Sequence, residues 1–278
     1  MNIALFKIKP NQIVRAMAVC GAVLSLPVAS RAQTTYTIND SSAAAFMASG
    51  SAGNPDGANL ATNNYGNAGT LAIAPASSTK GAFSSVVLFN TTAAVSQFNT
   101  TYGVGNWSIT GAKLSLASNF GVQGSQPNNL IFNTINAGSF GIDWLADSTW
   151  TVGNGAGGGT PGYPVNNDVD YAYIPTLLSF GYDSLGDFNY TPPGNNVYLT
   201  YTMPTDGGLD TAAANGAVSL YFYAADNQVS YLFNSQIYAA NHPELILTAT
   251  PTPEPGTLTL LTAAFGGVFM TRRKHLEH

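Results

Sequence analysis

The chain has little of the cysteine and histidine on which many kinds of site depend. Its 278 residues include one cysteine, Cys20, and three histidines, of which only His242 lies between residues 33 and 250. A single cysteine forms no disulfide within the chain, and zinc centres built from cysteine and histidine are disfavoured. Serine catalysis needs a histidine base, and the position of His242 beside Pro243 favours a structural or surface role instead.

Positive charge is almost absent from residues 33–250. This region carries twelve acidic residues against two basic ones, Lys80 and Lys113, so its net charge is −10, whereas that of the whole chain is −5. Nucleic-acid binding requires clustered lysine and arginine to neutralise phosphates, so nucleic-acid partners are excluded. Attraction to anionic lipid is disfavoured for the same reason. Neutral ligands and cations remain as the favoured classes.

Residues 1–32 have the pattern of a secretory signal peptide. A basic flank precedes an apolar run over residues 16–26, and small residues stand at Ser30 and Ala32. These three features together are typical of signal peptides, in which the cleavage site follows small residues at −3 and −1. We therefore predict cleavage before Gln33 and export of the remaining chain.

Short strand patterns dominate residues 33–250. Runs rich in β-formers, separated by Gly, Asn, Asp or Pro clusters, predict strands over residues 71–73, 83–89, 107–116, 130–132, 140–145, 197–203, 218–223, 229–233 and 245–248. Many short strands with turn residues between them are typical of a β-sandwich or barrel. We predict an all-β class, an antiparallel β-sandwich that forms one domain over residues 33–250, with the glycine-rich segment 153–162 as a loop.

Two short helices are predicted within this domain. Val95, Phe98 and Tyr102 lie on one helical face over residues 92–102, behind threonines that are good helix starters. The alanine-rich segment 209–215 predicts one or two further turns. Two short helices among about ten strands do not change the fold class.

The tail over residues 251–278 joins a proline-rich spacer to an apolar run and a basic end. Pro253-Glu254-Pro255 is followed by an uncharged stretch over residues 256–270 and then by Arg272-Arg273-Lys274. A 15-residue helix reaches about 22 Å, less than the roughly 30 Å of a bilayer core. We predict a C-terminal hydrophobic helix that holds the protein transiently in the inner membrane, with the basic residues as a membrane stop on the cytoplasmic side.

This tail closely resembles the PEP-CTERM sorting signal of exopolysaccharide-producing bacteria. The motif Pro253-Glu254-Pro255, the apolar run and the basic residues Arg272-Arg273-Lys274 follow one another in the order of that signal. The resemblance implies that an exosortase-type enzyme reads the proline motif and processes the chain. It also implies delivery to the cell surface or the extracellular matrix.

The central region resembles the DNRLRE-type sandwich of surface proteins. The similarity lies in segments 63–71, 86–90, 109–116 and 242–247, which match four strand motifs of that family in order. The resemblance implies a jelly-roll-like β-sandwich that occurs near carbohydrate-binding modules. Asn90 stands where the family usually has Asp, and Val87-Leu88 lacks the family's Arg, so an inherited ion pair is not implied.

Calcium is the one cation that the acidic residues suggest. Calcium takes six to eight oxygen ligands from carboxylates, amides and carbonyls. In an extended segment Asp168 and Asp170 lie on one side of the chain, and the pairs Asp183 with Asp187 and Asp206 with Asp210 are loop-like alternatives. None has EF-hand spacing, and aspartates are also common turn residues. No other cofactor is predicted.

Aromatic residues are numerous enough to form a saccharide site. Sugars pack on aromatic faces and take hydrogen bonds from polar side chains. The candidates are Trp107, Trp144, Trp150, Tyr163, Tyr171, Tyr173 and Tyr182. We expect most of the tryptophans to be core residues and Trp150, next to the glycine-rich loop, to be the exposed ligand-binding one.

These features predict a non-enzymatic, exported protein of the surface or matrix. The favoured interpretation is a structural or polysaccharide-associated component. The alternatives are a calcium-dependent carbohydrate-binding module and, less favoured, a glycan-active hydrolase or lyase. A hydrolase needs two carboxylates about 5–9 Å apart, and twelve acids offer many such pairs without marking any one of them.

Overall fold

Eleven strands and three short helices make up the described part of the chain. The computed structural model describes residues 32–50, 60–63, 65–77, 81–119, 136–152 and 169–252. The strands are β1 Thr34–Ile38, β2 Ala43–Ala48, β3 Thr70–Ser77, β4 Gly81–Asn90, β5 Trp107–Ala117, β6 Gly138–Leu145, β7 Tyr182–Tyr190, β8 Tyr198–Met203, β9 Ala217–Ala224, β10 Tyr231–Asn234 and β11 Glu244–Pro251. The helices are α1 Thr92–Tyr102, α2 Ile174–Ser179 and α3 Gly208–Ala214, with 3₁₀ turns at Leu60–Thr62 and Tyr171–Tyr173.

The strands form two sheets in which paired strands are antiparallel. The smaller sheet has the order β1-β11-β5-β8. The larger has the order β10-β3-β4-β9-β6-β7, and β2 also pairs with β4. The predicted antiparallel β-sandwich is thereby confirmed. The predicted signal helix, the strand over residues 130–132 and the C-terminal helix lie outside the described residues.

The main core fills the space between the two sheets. Leu114 and Leu247 from the smaller sheet meet Phe89, Phe140 and Phe222 from the larger one, and all five are fully buried. Alternate side chains of a strand point to opposite faces, which places one row of each strand in this core. Burial of each such side chain contributes about 1.5–3 kcal/mol, so the apolar interior is a main source of the stability of the sandwich.

Helix α1 closes one end of the sandwich. It begins at Thr92, whose backbone N–H donates to the side-chain oxygen of Asn90 at 3.0 Å, and it ends at Tyr102, as predicted. Its buried face consists of Ala94, Phe98 and Tyr102, while Val95 is only half-buried. Spacings of four residues place these side chains in line along the helix.

The other two helices are short. Helix α3 begins one residue earlier than the predicted segment 209–215. Helix α2 has no prediction, and Pro175 stands in its first turn, where a missing N–H costs no hydrogen bond. In the described ranges, no helix combines the length and the hydropathy that crossing a membrane requires.

Candidate functional site

The outer face of the larger sheet carries an aromatic surface near one end of β9. Leu220 and Phe222 point inward to the main core, whereas Tyr221 and Tyr223 alternate with them and point outward. A second apolar cluster, which includes Trp150, Ile174 and Leu177, covers part of this outer face. The tyrosines therefore lie at the margin of a covered region.

A cleft of about 380 Å³ opens at this margin, and we call it the tyrosine cleft. Tyr171, Tyr221 and Tyr223 line one part of it. The rest is formed by residues 74–76 of β3, residues 82–84 of β4 and residues 224–227 after the end of β9. The cleft thus combines phenol rings, short apolar side chains and the polar side chains of Asp226 and Asn227.

The two β9 tyrosines form a stacked pair. Their ring centroids lie 5.5 Å apart with an interplanar angle of 25°. Tyr221 is 8% exposed, and its hydroxyl donates to the Oγ of Ser84 at 3.2 Å. Burial raises the pKa of Tyr221 to about 12, although the hydrogen bond with Ser84 lowers it. The phenol is therefore a neutral hydrogen-bonding group across the physiological pH range.

Tyr223 is held in place by a glycine and a buried carboxyl group. Its ring lies across Gly141, where an added Cβ would sit 2.2 Å from the ring carbon Cζ. Its hydroxyl donates to Oδ1 of Asp143 at 3.4 Å, a long contact. Asp143 is 5% exposed, and burial raises its pKa above the ordinary value. Hydrogen bonds with Tyr223 and Ser184 lower the pKa, but they do not cancel the effect of burial, and the nearby charge of Asp187 raises it further. Asp143 therefore orients Tyr223 from behind the cleft wall.

Asp226 fixes the turn that forms the cleft rim. Its carboxylate accepts three backbone N–H groups, from Ser139 at 2.5 Å, Gln228 at 2.8 Å and Val229 at 2.7 Å. Desolvation acts to raise the pKa of Asp226, but these hydrogen bonds outweigh it and hold the pKa below its ordinary value. The carboxylate is thus engaged in structure, and the rim is rigid.

Asp226→Asn is expected to destabilise the protein in a pH-dependent way. A group with a lowered folded-state pKa stabilises the fold above its unfolded pKa, about 3.9, and that contribution is lost as the pH falls through the folded-state value. Urea unfolding near neutral pH should show a loss of about 1–3 kcal/mol relative to wild type. The difference should shrink toward about pH 2. The exposed Asp206→Asn variant removes the same charge as a control, and a pH-independent difference for Asp226→Asn would contradict this account.

The proposed calcium ligands are only partly described. Asp168 lies outside the described residues. Asp170 is buried, and its Oδ1 accepts the backbone N–H of Tyr173 at 3.1 Å, which caps a 3₁₀ turn. Among the described residues, no group of three or more His, Cys, Asp or Glu side chains is placed to hold a metal ion. A calcium site at Asp168 and Asp170 stays a prediction.

The expectation that the other two acidic pairs lie in loops is wrong in part, because Asp183 and Asp187 belong to strand β7 and Asp210 belongs to helix α3. One member of each pair bonds to a backbone N–H. Asp183 accepts the N–H of Gly208 at 2.9 Å with its Oδ2, which ties β7 to the start of α3. Asp210 accepts the N–H of Thr211 at 2.6 Å. These are the turn and cap roles that aspartate commonly fills.

The expectation that Trp150 is exposed is wrong. Trp150 is 2% exposed, packs in the apolar cluster on the outer face of the larger sheet, and donates its Nε1–H to the Oγ of Ser219 at 2.8 Å. The neighbouring glycine-rich sequence indicated a loop, but the indole packs with Val169, Ile174 and Leu177 in that cluster. The tyrosine cleft, with Tyr171 from the aromatic candidates and the unpredicted Tyr221 and Tyr223, is the better candidate site.

Neither the described residues nor the comparisons with known proteins assign this chain to a family. The predicted processing motif Pro253-Glu254-Pro255 and the predicted membrane stop Arg272-Arg273-Lys274 lie outside the described residues. The chain matches no protein-family model and no curated protein. The resemblances of the tail and of the strand motifs therefore remain predictions.

Proposed function

We propose that this protein is an exported, non-enzymatic component of the bacterial cell surface or extracellular matrix that associates with polysaccharide. In this proposal the tail is a PEP-CTERM signal, an exosortase-type enzyme processes it, and the inner membrane holds the protein only before processing. The sandwich is a jelly-roll-like module of the DNRLRE type. The molecular role is structural, with the polysaccharide as partner.

The observation that carries this proposal is the order of the segments along the chain. Strand β1 begins at Thr34, directly after the predicted cleavage point before Gln33. Strand β11 ends at Pro251, two residues before Pro253 of the sorting motif. Cleavage before Gln33, or processing at the Pro253 motif, would therefore leave every described strand in place. Export and tail processing are compatible with a folded product.

Four of the described carboxylates have structural roles, which favours a non-enzymatic function. Asp170, Asp183, Asp210 and Asp226 each accept a backbone N–H and hold a turn, a cap or a helix start. The excess of acidic over basic residues disfavours phosphate-bearing partners. Neutral polysaccharide fits this charge pattern.

Location and processing of the mature protein test the proposal. Cells with the processing enzyme should release a surface or matrix form that lacks the basic end, as seen by mass spectrometry of its C-terminus. Cells without the enzyme, or a variant with Pro253→Ala, Glu254→Ala and Pro255→Ala together, should retain the uncut chain in the membrane. Thr259→Ala, outside the motif, is the matched control. The same mature C-terminus and location in all these cells would refute the sorting role.

A further inference from the structure

The tyrosine cleft has the size of a small-ligand site. Its volume of about 380 Å³ lies within the roughly 300–1,000 Å³ typical of such sites. Its lining is more polar than apolar, and the phenol hydroxyls and the side chain of Asn227 are its groups for hydrogen bonding to a ligand. The cleft therefore suits a ligand with both apolar faces and hydroxyl groups.

Aromatic faces in the cleft are available for packing. Tyr171 and Tyr223 line the cleft and are only partly buried, so each keeps some accessible surface. The buried hydroxyl of Tyr221 is tied to Ser84, which fixes the ring beside Tyr223. Phenol rings offer an apolar body and a polar tip, which match the C–H faces and hydroxyl edges of a sugar ring.

The charge around the cleft selects a neutral ligand. Among the described residues that line it, none is basic, so an anionic saccharide or a phosphate would find no counter-charge. A cationic ligand would need a free carboxylate. Asp226 gives its two oxygens to three backbone N–H groups, and Asp143 lies buried behind Tyr223. Both carboxyl groups already have hydrogen-bond partners, which disfavours a cationic ligand.

We propose that the tyrosine cleft, built on Tyr171, Tyr221 and Tyr223, binds one short stretch of a neutral polysaccharide. The proposal rests on the polysaccharide association proposed above, and it adds the site and the class of sugar. The bound sugar packs on the ring faces of Tyr171 and Tyr223. Its hydroxyls exchange hydrogen bonds with the phenol of Tyr223 and with the amide of Asn227 at the rim.

Binding to defined oligosaccharides tests this site. The full chain, purified in a detergent without sugar groups, is applied to an array of neutral and acidic glycans and to a lysine-rich peptide, and hits are measured by calorimetry. Neutral glucan, mannan or xylan oligosaccharides are expected to bind. Binding to acidic glycans alone, or to the lysine-rich peptide alone, would overturn the choice of ligand.

Variants locate the site within the protein. Tyr223→Ala is expected to weaken binding about tenfold, because one ring face is lost. Gly141→Ala is a second variant, since its new Cβ displaces the Tyr223 ring without removing it. Tyr182→Ala is the matched control, because Tyr182 is 54% exposed on β7 and does not line the cleft. Equal weakening by Tyr182→Ala, or none by Gly141→Ala and Tyr223→Ala, would overturn the assignment.

The outcome separates this site from the proposed function. Failure of every neutral glycan to bind, with the mature protein still found in the matrix, would refute the cleft but leave the surface role intact. Binding by the purified chain, with wrong location in cells, would refute the sorting role but leave the cleft intact. Thermal melting of each variant shows whether a loss of binding is a loss of fold.

Discussion

Trp150→Ala is expected to lower the free energy of unfolding by about 3–5 kcal/mol. The indole is among the largest fully buried side chains, and its removal leaves a cavity in the apolar cluster on the outer face of the larger sheet. Its N–H also bonds to Ser219, whose buried hydroxyl would lose that partner. Because domains of this kind have about 5–15 kcal/mol of stability in total, much of the margin would be lost. Chemical denaturation measures the change.

Trp150→Phe is the matched control for that experiment. It keeps a ring in the cluster but removes the N–H to Ser219, so a smaller loss of about 1–2 kcal/mol is expected from the hydrogen bond. A surface tryptophan behaves differently, since exposed substitutions change stability by about 0.5 kcal/mol or less. A loss of that size in Trp150→Ala would restore the idea of an exposed ligand-binding indole.

Ser85→Ala is expected to cost about 2–5 kcal/mol, because it leaves two buried backbone groups unpaired. Strand β3 pairs with β4 only at Ala74 and Ser77, where the register shifts. At Ala72, the hydroxyl of Ser85 takes the place of the backbone hydrogen bonds that would otherwise join β3 to β4. It accepts the N–H of Ala72 and donates to the C=O of Ala72, both at 2.9 Å, in a fully buried position.

Hydrogen exchange and a neighbouring serine give this prediction its control. The amide of Ala72 should exchange faster in Ser85→Ala than in wild type, since its partner is gone. Ser84→Ala removes a buried hydroxyl whose bond is with Tyr221, so a smaller loss of about 1 kcal/mol is expected. Equal losses of unfolding free energy in the two variants would show that the hydrogen bonds from Ser85 to Ala72 stabilise the fold no more than the single bond of Ser84.

The fold class could be predicted because most strands are rich in β-formers. Strands β4, β5 and β9 carry runs of valine, leucine, isoleucine and aromatic residues, and the structure extends each prediction by a few residues at most. The helix over Thr92–Tyr102 could be predicted because its apolar residues recur on one face. In these segments local preference and tertiary packing agree.

Strands β1, β2 and β7 are not predicted from the sequence patterns, and a physical reason explains each omission. Strand β2 reads Ala-Ala-Ala-Phe-Met-Ala, and alanine has low strand propensity, so its pairing with β4 decides its conformation. Strand β7 contains two aspartates and a glycine and pairs only with β6, as an edge strand that needs few apolar residues. Strand β1 is a short edge strand whose pairing with β11 is non-local.

The candidate site was harder to predict than the fold. Tyr221-Phe222-Tyr223 shows the alternation that sends both phenols to one face, and this signal is visible in the sequence. What the sequence does not show is which face is covered. Trp150 and Tyr223 differ in exposure because Val169, Ile174 and Leu177 pack around the indole, whereas Tyr223 lies at the margin of that cluster. That boundary depends on tertiary packing and has no local signature.

The position of β11 has a mechanical consequence. This strand lies between β1 and β5, and the chain leaves it at Pro251. Antiparallel hydrogen bonds run across the strands, so a pull on the chain beyond Pro251 shears two ladders at once. Thr34 pairs with Ala249, so a pull between the two ends of the sandwich would instead peel β1 from β11 bond by bond. The domain should therefore resist a force that shears β11 from both neighbouring strands better than a force that pulls Thr34 and Pro251 apart.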